Sequence, residues 1–375
     1  MGAWNKRDDM LVHSLEPYNA EPAPAAVAGQ PITPLDTFYS RNHGAIPVLD
    51  PATWHLAVDG LVDHPLQLSL TDLRNRFEQH TVTATLLCAG NRRAELMAVR
   101  DIPGQTPWRS AAISTARWTG ARLRDVLDAA GLHPDARHVA FTAADLITTL
   151  DPPGPFGGSI PAGKATAGEV LLAWQMNDDP LPAVHGGPVR VVVPGYIGAR
   201  SIKWVHRITA QQQPSGNHFQ TADYRLLPPD ADPGTTPPGD GLSLGAAALN
   251  AAILTPADGT ALTAGTHTVS GYAIPGEHRR IARVDVSADA GRTWQQAVTD
   301  PAPGPWAWTL WHTTVDLPPG PAEIAARAWD DAATTQPERP EPLWNPLGYL
   351  NTAWSRVHLH THPARGSRPA GPGRG

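Results

Sequence analysis

Hydrophobic and polar positions change rhythm along this chain. In WHLAVDGLV, residues 54–62, Trp54, Leu56 and Val58 alternate with less apolar neighbours before Gly60, the period of a half-buried strand. SLTDLRNRF follows, with Thr71 and Asp72 as helix starters and Leu73 and Phe77 four apart, which predicts a short helix. TGARLRDVLDAAGL predicts a second, with Leu123, Val126 and Leu127 on one face and Gly131 as its stop. VRVVVPG, residues 189–195, is almost unbroken apolar and reads as a strand buried on both faces, ended by Pro194 and Gly195. Helices and strands interleave to about residue 225, the pattern of a mixed α+β domain.

The rhythm then stops. Residues 226–245, LLPPDADPGTTPPGDGLSLG, have no period and are dense in Pro, Gly and Asp, as a linker is. Beyond them only alternation remains. Ala282, Val284 and Val286 alternate with Arg283, Asp285 and Ser287, DAG turns the chain toward Trp294, and AEIAARAWD alternates again. Short strands at such spacing predict an all-β immunoglobulin-like sandwich. The expected division is a first domain over 1–237, a sandwich over 238–362 and a disordered tail over 363–375.

Composition narrows the class. The chain has 375 residues, 41% hydrophobic and 17% charged, enough for two or three domains with buried cores. Its formal net charge of -6, with no long basic run, argues against nucleic-acid and membrane-surface partners. No apolar run approaches the roughly 20 residues that span a bilayer. No signal-peptide core is visible near the start, so a cytoplasmic location is expected, or a periplasmic one only by another export route. The 40 prolines and 34 glycines favour short strands and tight turns.

A single cysteine cannot form an internal disulfide, so Cys88 is either a small buried hydrophobe or a chemical group. It follows a strand-like run, TVTATLL, and precedes Gly90, which permits a close approach, and Arg92 and Arg93. Nearby guanidinium groups are expected to lower a thiol pKa, and the thiolate is the form that attacks a substrate or binds a metal. A soft thiolate in a basic setting suits a soft metal carried by an anionic cofactor. Two further stretches fit that idea. FYSRNHGAIP, residues 38–47, gathers Arg41, Asn42 and His43. HGGPVRVVVPGYIGARSIKWV, residues 185–205, places His185 and Arg190 at one end of the buried strand and Gly198, Arg200 and Lys203 at the other. Strand ends with glycine and basic side chains bind anions.

TLLCAGNRR, FYSRNHGAIP and HGGPVRVVVPGYIGARSIKW resemble the sulfite oxidase family of molybdenum enzymes, and the resemblance runs from about residue 8 to 362. It implies a molybdopterin-binding domain followed by the family's immunoglobulin-like dimerisation domain, and hence a homodimer. It implies molybdenum held by one molybdopterin, with Cys88 as the protein's metal ligand. Tyr39, Ser40, Arg41, Asn42 and His43, together with Asp145, His185, Arg190, Ser201, Ile202 and Lys203, match the cofactor contacts. Arg41, Arg93 and Trp108 match the walls of a pocket for a small anionic substrate, and Tyr224 matches an active-site tyrosine. The implied reaction oxidises sulfite to sulfate. Its two electrons pass to a separate acceptor, such as a c-type cytochrome, because no heme segment is recognisable in this chain.

One position departs. Vertebrate and plant members carry an arginine where this chain has Leu347, in WNPLGYLN. That keeps open a second reaction on the same cofactor, reduction of nitrate or a sulfoxide. A cofactor-free binding protein is the rival from another class, and the retained Cys88 and basic clusters count against it. HLHTH places His358, His360 and His362 on one strand face, read as an exposed end strand rather than a metal site. Phe156 is expected to pack.

Overall fold

The computed structural model describes residues 2–276 and 278–363, so the expected tail lies outside the described residues from 364 onward. Two five-stranded sheets build the first domain. In one, Gln79–Leu87, Ile113–Arg122 and Leu171–Met176 run antiparallel side by side, and Asp179–Pro180 and Arg190–Val192 both pair with Leu171–Met176. In the other the order is Leu66–Ser69, His55–Gly60, Val205–Gln211, His138–Ala143 and Gly157–Pro161, and only His55–Gly60 against Val205–Gln211 is parallel. Leu56 and Val58 point into the core between these layers, as their alternation predicts. Val189, Val191 and Val193 are buried there too, while Val192 packs on the opposite side beside Cys88.

Helix Leu70–Arg76 begins one residue before the expected starters because Ser69 caps it. Its Oγ accepts the Asp72 N–H at 3.0 Å, and the Asp72 carboxylate accepts the Ser69 N–H at 2.9 Å. Helix Leu123–Ala130 buries Leu123, Val126 and Leu127 and ends at Gly131, whose φ of 69° suits glycine.

The second domain is a sandwich of two sheets. One holds Asn250–Thr255, Gly265–Ile274, Thr309–Leu317 and Val298–Thr299; the other holds Ala261–Thr263, Ser355–His362, Gly320–Asp330, Ile281–Ser287 and Gln295–Gln296. Val269, Trp311, Val284, Ile324 and Val357 from the two facing surfaces fill one core. The linker region is bracketed by a small antiparallel pair, Arg225–Leu226 with Leu242–Ser243.

The two domains share hydrogen bonds. Thr85 N–H donates to Trp306 O at 2.9 Å, and Leu350 N–H donates to Ala89 O at 2.8 Å. Arg92, fully buried, donates to Ala251 O at 3.1 Å, Ala353 O at 2.7 Å and Trp354 O at 2.9 Å, and pairs with Glu95 at 2.7 Å.

Candidate active site

Strand Gln79–Leu87 ends where the chemistry starts. Its alternation directs Leu86 and Cys88 toward a cavity whose wall also includes Phe38. The 39–43 segment adds Tyr39, Arg41, Asn42 and His43 to the wall. Asp145, His185, Arg190, Ser201, Lys203 and Tyr224 complete the predicted set found there. Residues from positions 39 to 224 thus converge on one space.

Four predicted residues do not line it. Ser40 sits in extended backbone between two wall residues and pairs with Ala20, so its side chain faces the other way. Ile202 packs in the apolar core and lends its carbonyl to Val191 N–H at 2.8 Å. Trp108 is fully buried, edge-on to the His13 ring at 4.8 Å. Arg93 lies behind the wall: Nε donates to Leu347 O and Gly348 O, each at 3.1 Å, and Nη1 to Thr106 O at 2.9 Å. Gly90 is needed for that packing, since a Cβ there would lie 2.4 Å from Arg93 Nη2.

The neighbouring arginines therefore do different work. Arg92, at φ 63°, caps helix Arg93–Val99 and turns toward the second domain. Burial raises the Cys88 thiol pKa and outweighs Arg93, Arg41 and the Gly90 backbone hydrogen bond, which lower it, so the shift is opposite to what adjacency suggested. A metal binding here must displace that proton.

The wall is rich in buried cations. Arg190 donates to His185 O and Ser201 O, each at 2.8 Å, and its guanidinium lies 5.0 Å over the Trp118 ring. Burial lowers its pKa to about 10. Lys203 donates to Arg41 O at 2.9 Å, Val184 O at 3.1 Å and the Asn42 side-chain carbonyl. Burial, then the nearby Arg190, holds it well below the usual lysine range. Asp145 is the one acid on the wall among the described residues, and burial raises its pKa. Tyr224 OH and His43 Nε2 are 3.0 Å apart, and burial pushes the phenol up and the imidazole down, leaving both neutral.

Desolvated cations bonded mostly to carbonyls require an anion. No group of three or more His, Cys, Asp or Glu side chains among the described residues can hold a metal. A metal at Cys88 would therefore draw most of its ligands from outside these side chains, and the cationic wall suits an anionic carrier. The donor set fits molybdenum on molybdopterin.

Sequence reasoning missed Lys6 and Tyr349. Lys6 is buried against His185, and the Tyr349 ring stacks on Tyr224 at 5.3 Å with Arg93 5.2 Å over it. Lys6 belongs to no motif, and Tyr349 stands two residues after Leu347 in WNPLGYLN, where only Leu347 drew notice. The histidines of strand Ser355–His362 are exposed on alternate positions as expected; His358 lies 3.2 Å from Asp258. Phe156 stacks on His43 at 4.8 Å.

The chain matches the oxidoreductase molybdopterin binding domain over residues 43–219 and the Mo-co oxidoreductase dimerisation domain over residues 244–362. It is 44% identical over 358 residues to a sulfite oxidase of Gallus gallus, covering 92% of this chain and 77% of that protein. It is 44% identical over 367 residues to the mitochondrial sulfite oxidase of Homo sapiens, covering 94% of this chain and 66% of the relative. The chain thus spans about two thirds of the human protein. Among solved structures, the sulfane dehydrogenase SoxCD from Paracoccus pantotrophus matches with a TM-score of 0.79 at 26% identity, covering 93% of this chain and 86% of that one.

Proposed function

Because the chain belongs to the sulfite oxidase family of molybdopterin-dependent oxidoreductases, we propose that it oxidises sulfite to sulfate and passes two electrons to a separate carrier. The observation that carries this reading is one buried thiol, Cys88, in a cavity where Arg41, Arg190 and Lys203 face a single carboxylate among the described residues, Asp145. Per turnover, sulfite and water give sulfate, two protons and two electrons. When bound, the molybdenum cofactor supplies the oxygen-transfer and two-electron chemistry.

The chain's own residues hold and orient. Cys88 binds the metal. Arg190 and Lys203, with Asn42, His185 and Ser201, hold the anionic pterin. Arg41 offers the guanidinium that orients the substrate oxyanion. Tyr224 keeps its phenol proton at the cavity, hydrogen-bonded with His43. Arg93 positions the thiol end of the site from behind, braced by Leu347 O and Gly348 O. The second domain joins two copies of the chain.

Ferricyanide reduction by purified, molybdenum-loaded protein tests the proposal, with sulfite-dependent turnover as the expected outcome. Arg41→Gln raises the sulfite KM about tenfold, the scale of one charged hydrogen bond. The second reading, reduction of an oxyanion or sulfoxide, is favoured by one observation: Leu347 brings a buried apolar side chain and a carbonyl, not a cation. Loaded protein that ignores sulfite and oxidises a reduced dye with nitrate or a sulfoxide replaces the first reading with the second.

A further inference from the structure

Lys6 has no part in the chemistry above, yet it reaches the cavity wall from near the start of the chain. Its Nζ lies 2.7 Å from Nε2 of His185. The same Nζ donates to Leu35 O at 2.5 Å and Phe38 O at 2.8 Å. The residue is 1% exposed. An ammonium has three N–H donors and no lone pair, whereas a carbonyl oxygen only accepts. Two N–H groups go to the carbonyls, so the third needs the Nε2 lone pair. The proton of a neutral imidazole must then sit on Nδ1. No hydrogen bond within the described residues engages Nδ1, and its ring lines the cavity. An imidazolium would set N–H against N–H, and burial with Lys6, Lys203 and Arg190 nearby already holds this ring well below the ordinary histidine range. Burial brings Lys6 itself down to about 7, opposed by Asp36, and the test is set at pH 6 to favour its ammonium form.

We infer that Lys6 is a positioning residue that fixes His185 as the neutral, Nδ1-protonated tautomer and so turns a hydrogen-bond donor toward the bound cofactor anion. The inference rests on the cofactor reading of the cavity. It concerns a residue outside every motif of the chain.

The test is cofactor retention. Loaded protein is dialysed at pH 6 while its molybdenum and pterin contents are followed. Lys6→Met should release cofactor about tenfold faster, the scale of one charge-assisted hydrogen bond. In a His185→Ala background the same substitution should add nothing, because the two residues act as one unit. Equal acceleration in both backgrounds would mean that Lys6 merely anchors the 35–38 turn, and the inference falls. Unchanged release in the single variant also overturns it. If Lys6→Met does not fold, nitrogen NMR of wild-type loaded protein at pH 6 gives the answer directly. A His185 ring protonated on Nδ1 is expected, and one protonated on Nε2 sinks the idea. A protein that takes up no molybdenum fails the functional proposal instead, and the nitrogen spectrum still decides the tautomer.

Discussion

Each domain buries charge, and the two solve the problem differently. In the sandwich, the Asp285 carboxylate accepts from Arg283 at 2.9 Å, Arg327 at 3.3 Å and Trp329 Nε1 at 3.0 Å. The Arg327 guanidinium also lies 4.0 Å over the Trp294 ring. There the buried carboxylate is met by opposite charge from the chain itself. In the cavity, Arg190 and Lys203 find mainly carbonyl oxygens, and their pKa values fall under the desolvation. Self-contained pairing builds a scaffold, whereas deferred pairing builds a binding site whose stability depends on the ligand.

The largest effect that can break this contrast is on Cys88. Cys88→Ser should cut sulfite turnover at least about hundredfold. It should move Tm by less than about 4 °C, since one buried sulfur is exchanged for oxygen. Retained turnover with molybdenum bound would remove the thiol from the metal. Asp285→Ala should cost about 3–5 kcal/mol in urea unfolding, because it strands partners that are now paired. Its cofactor content per folded molecule should stay at the wild-type level; cofactor loss would mean that the sandwich cluster also serves the site.

The pH dependence of the cofactor-free protein comes next. Lys6 falls from the ordinary 10.5 to about 7 on folding, so between those values the unfolded chain binds more protons and stability rises with pH. Relative to Lys6→Met, wild-type unfolding free energy should climb from pH 7 toward pH 10.5 by up to about 4 kcal/mol. A flat difference would show that Lys6 is not desolvated. The smallest effect is the sharpest in sign. Arg190→Met should stabilise the cofactor-free protein by about 1 kcal/mol while lowering its cofactor content, as expected when an unpaired buried ion is removed. Destabilisation in the cofactor-free state would mean that the cavity charges are already paired.

The elements most legible in the sequence were those with contiguous signals. Strand His55–Gly60 and helix Leu123–Ala130 follow from period alone, whereas in strand Ile281–Ser287 Val284 and Val286 are buried as expected but Ala282 is exposed and the polar Asp285 and Ser287 are buried too. The cavity was legible because 38–47, 83–96 and 185–205 are dense in chemistry within short windows. Adjacency misled at Arg92 and Arg93, because a left-handed residue at 92 turns the two side chains apart: both reach carbonyls of the sandwich, but of the two Arg93 is the one that acts on the thiol. It misled again over the thiol, since sequence shows neighbouring charge but not burial. Lys6 and Tyr349 were missed for a third reason: each meets its partner far along the chain, 179 positions from His185 and 125 from Tyr224.

The Arg92–Arg93 pair has a mechanical meaning. Arg92 is riveted to carbonyls of the sandwich, and the sandwich loop 347–348 in turn clamps Arg93 behind Cys88. Pulling the sandwich away would tear out the backing of the metal ligand. A boundary drawn at the linker is thus a seam in the sequence but not a line of weakness in the solid, and the two domains should melt in a single calorimetric step.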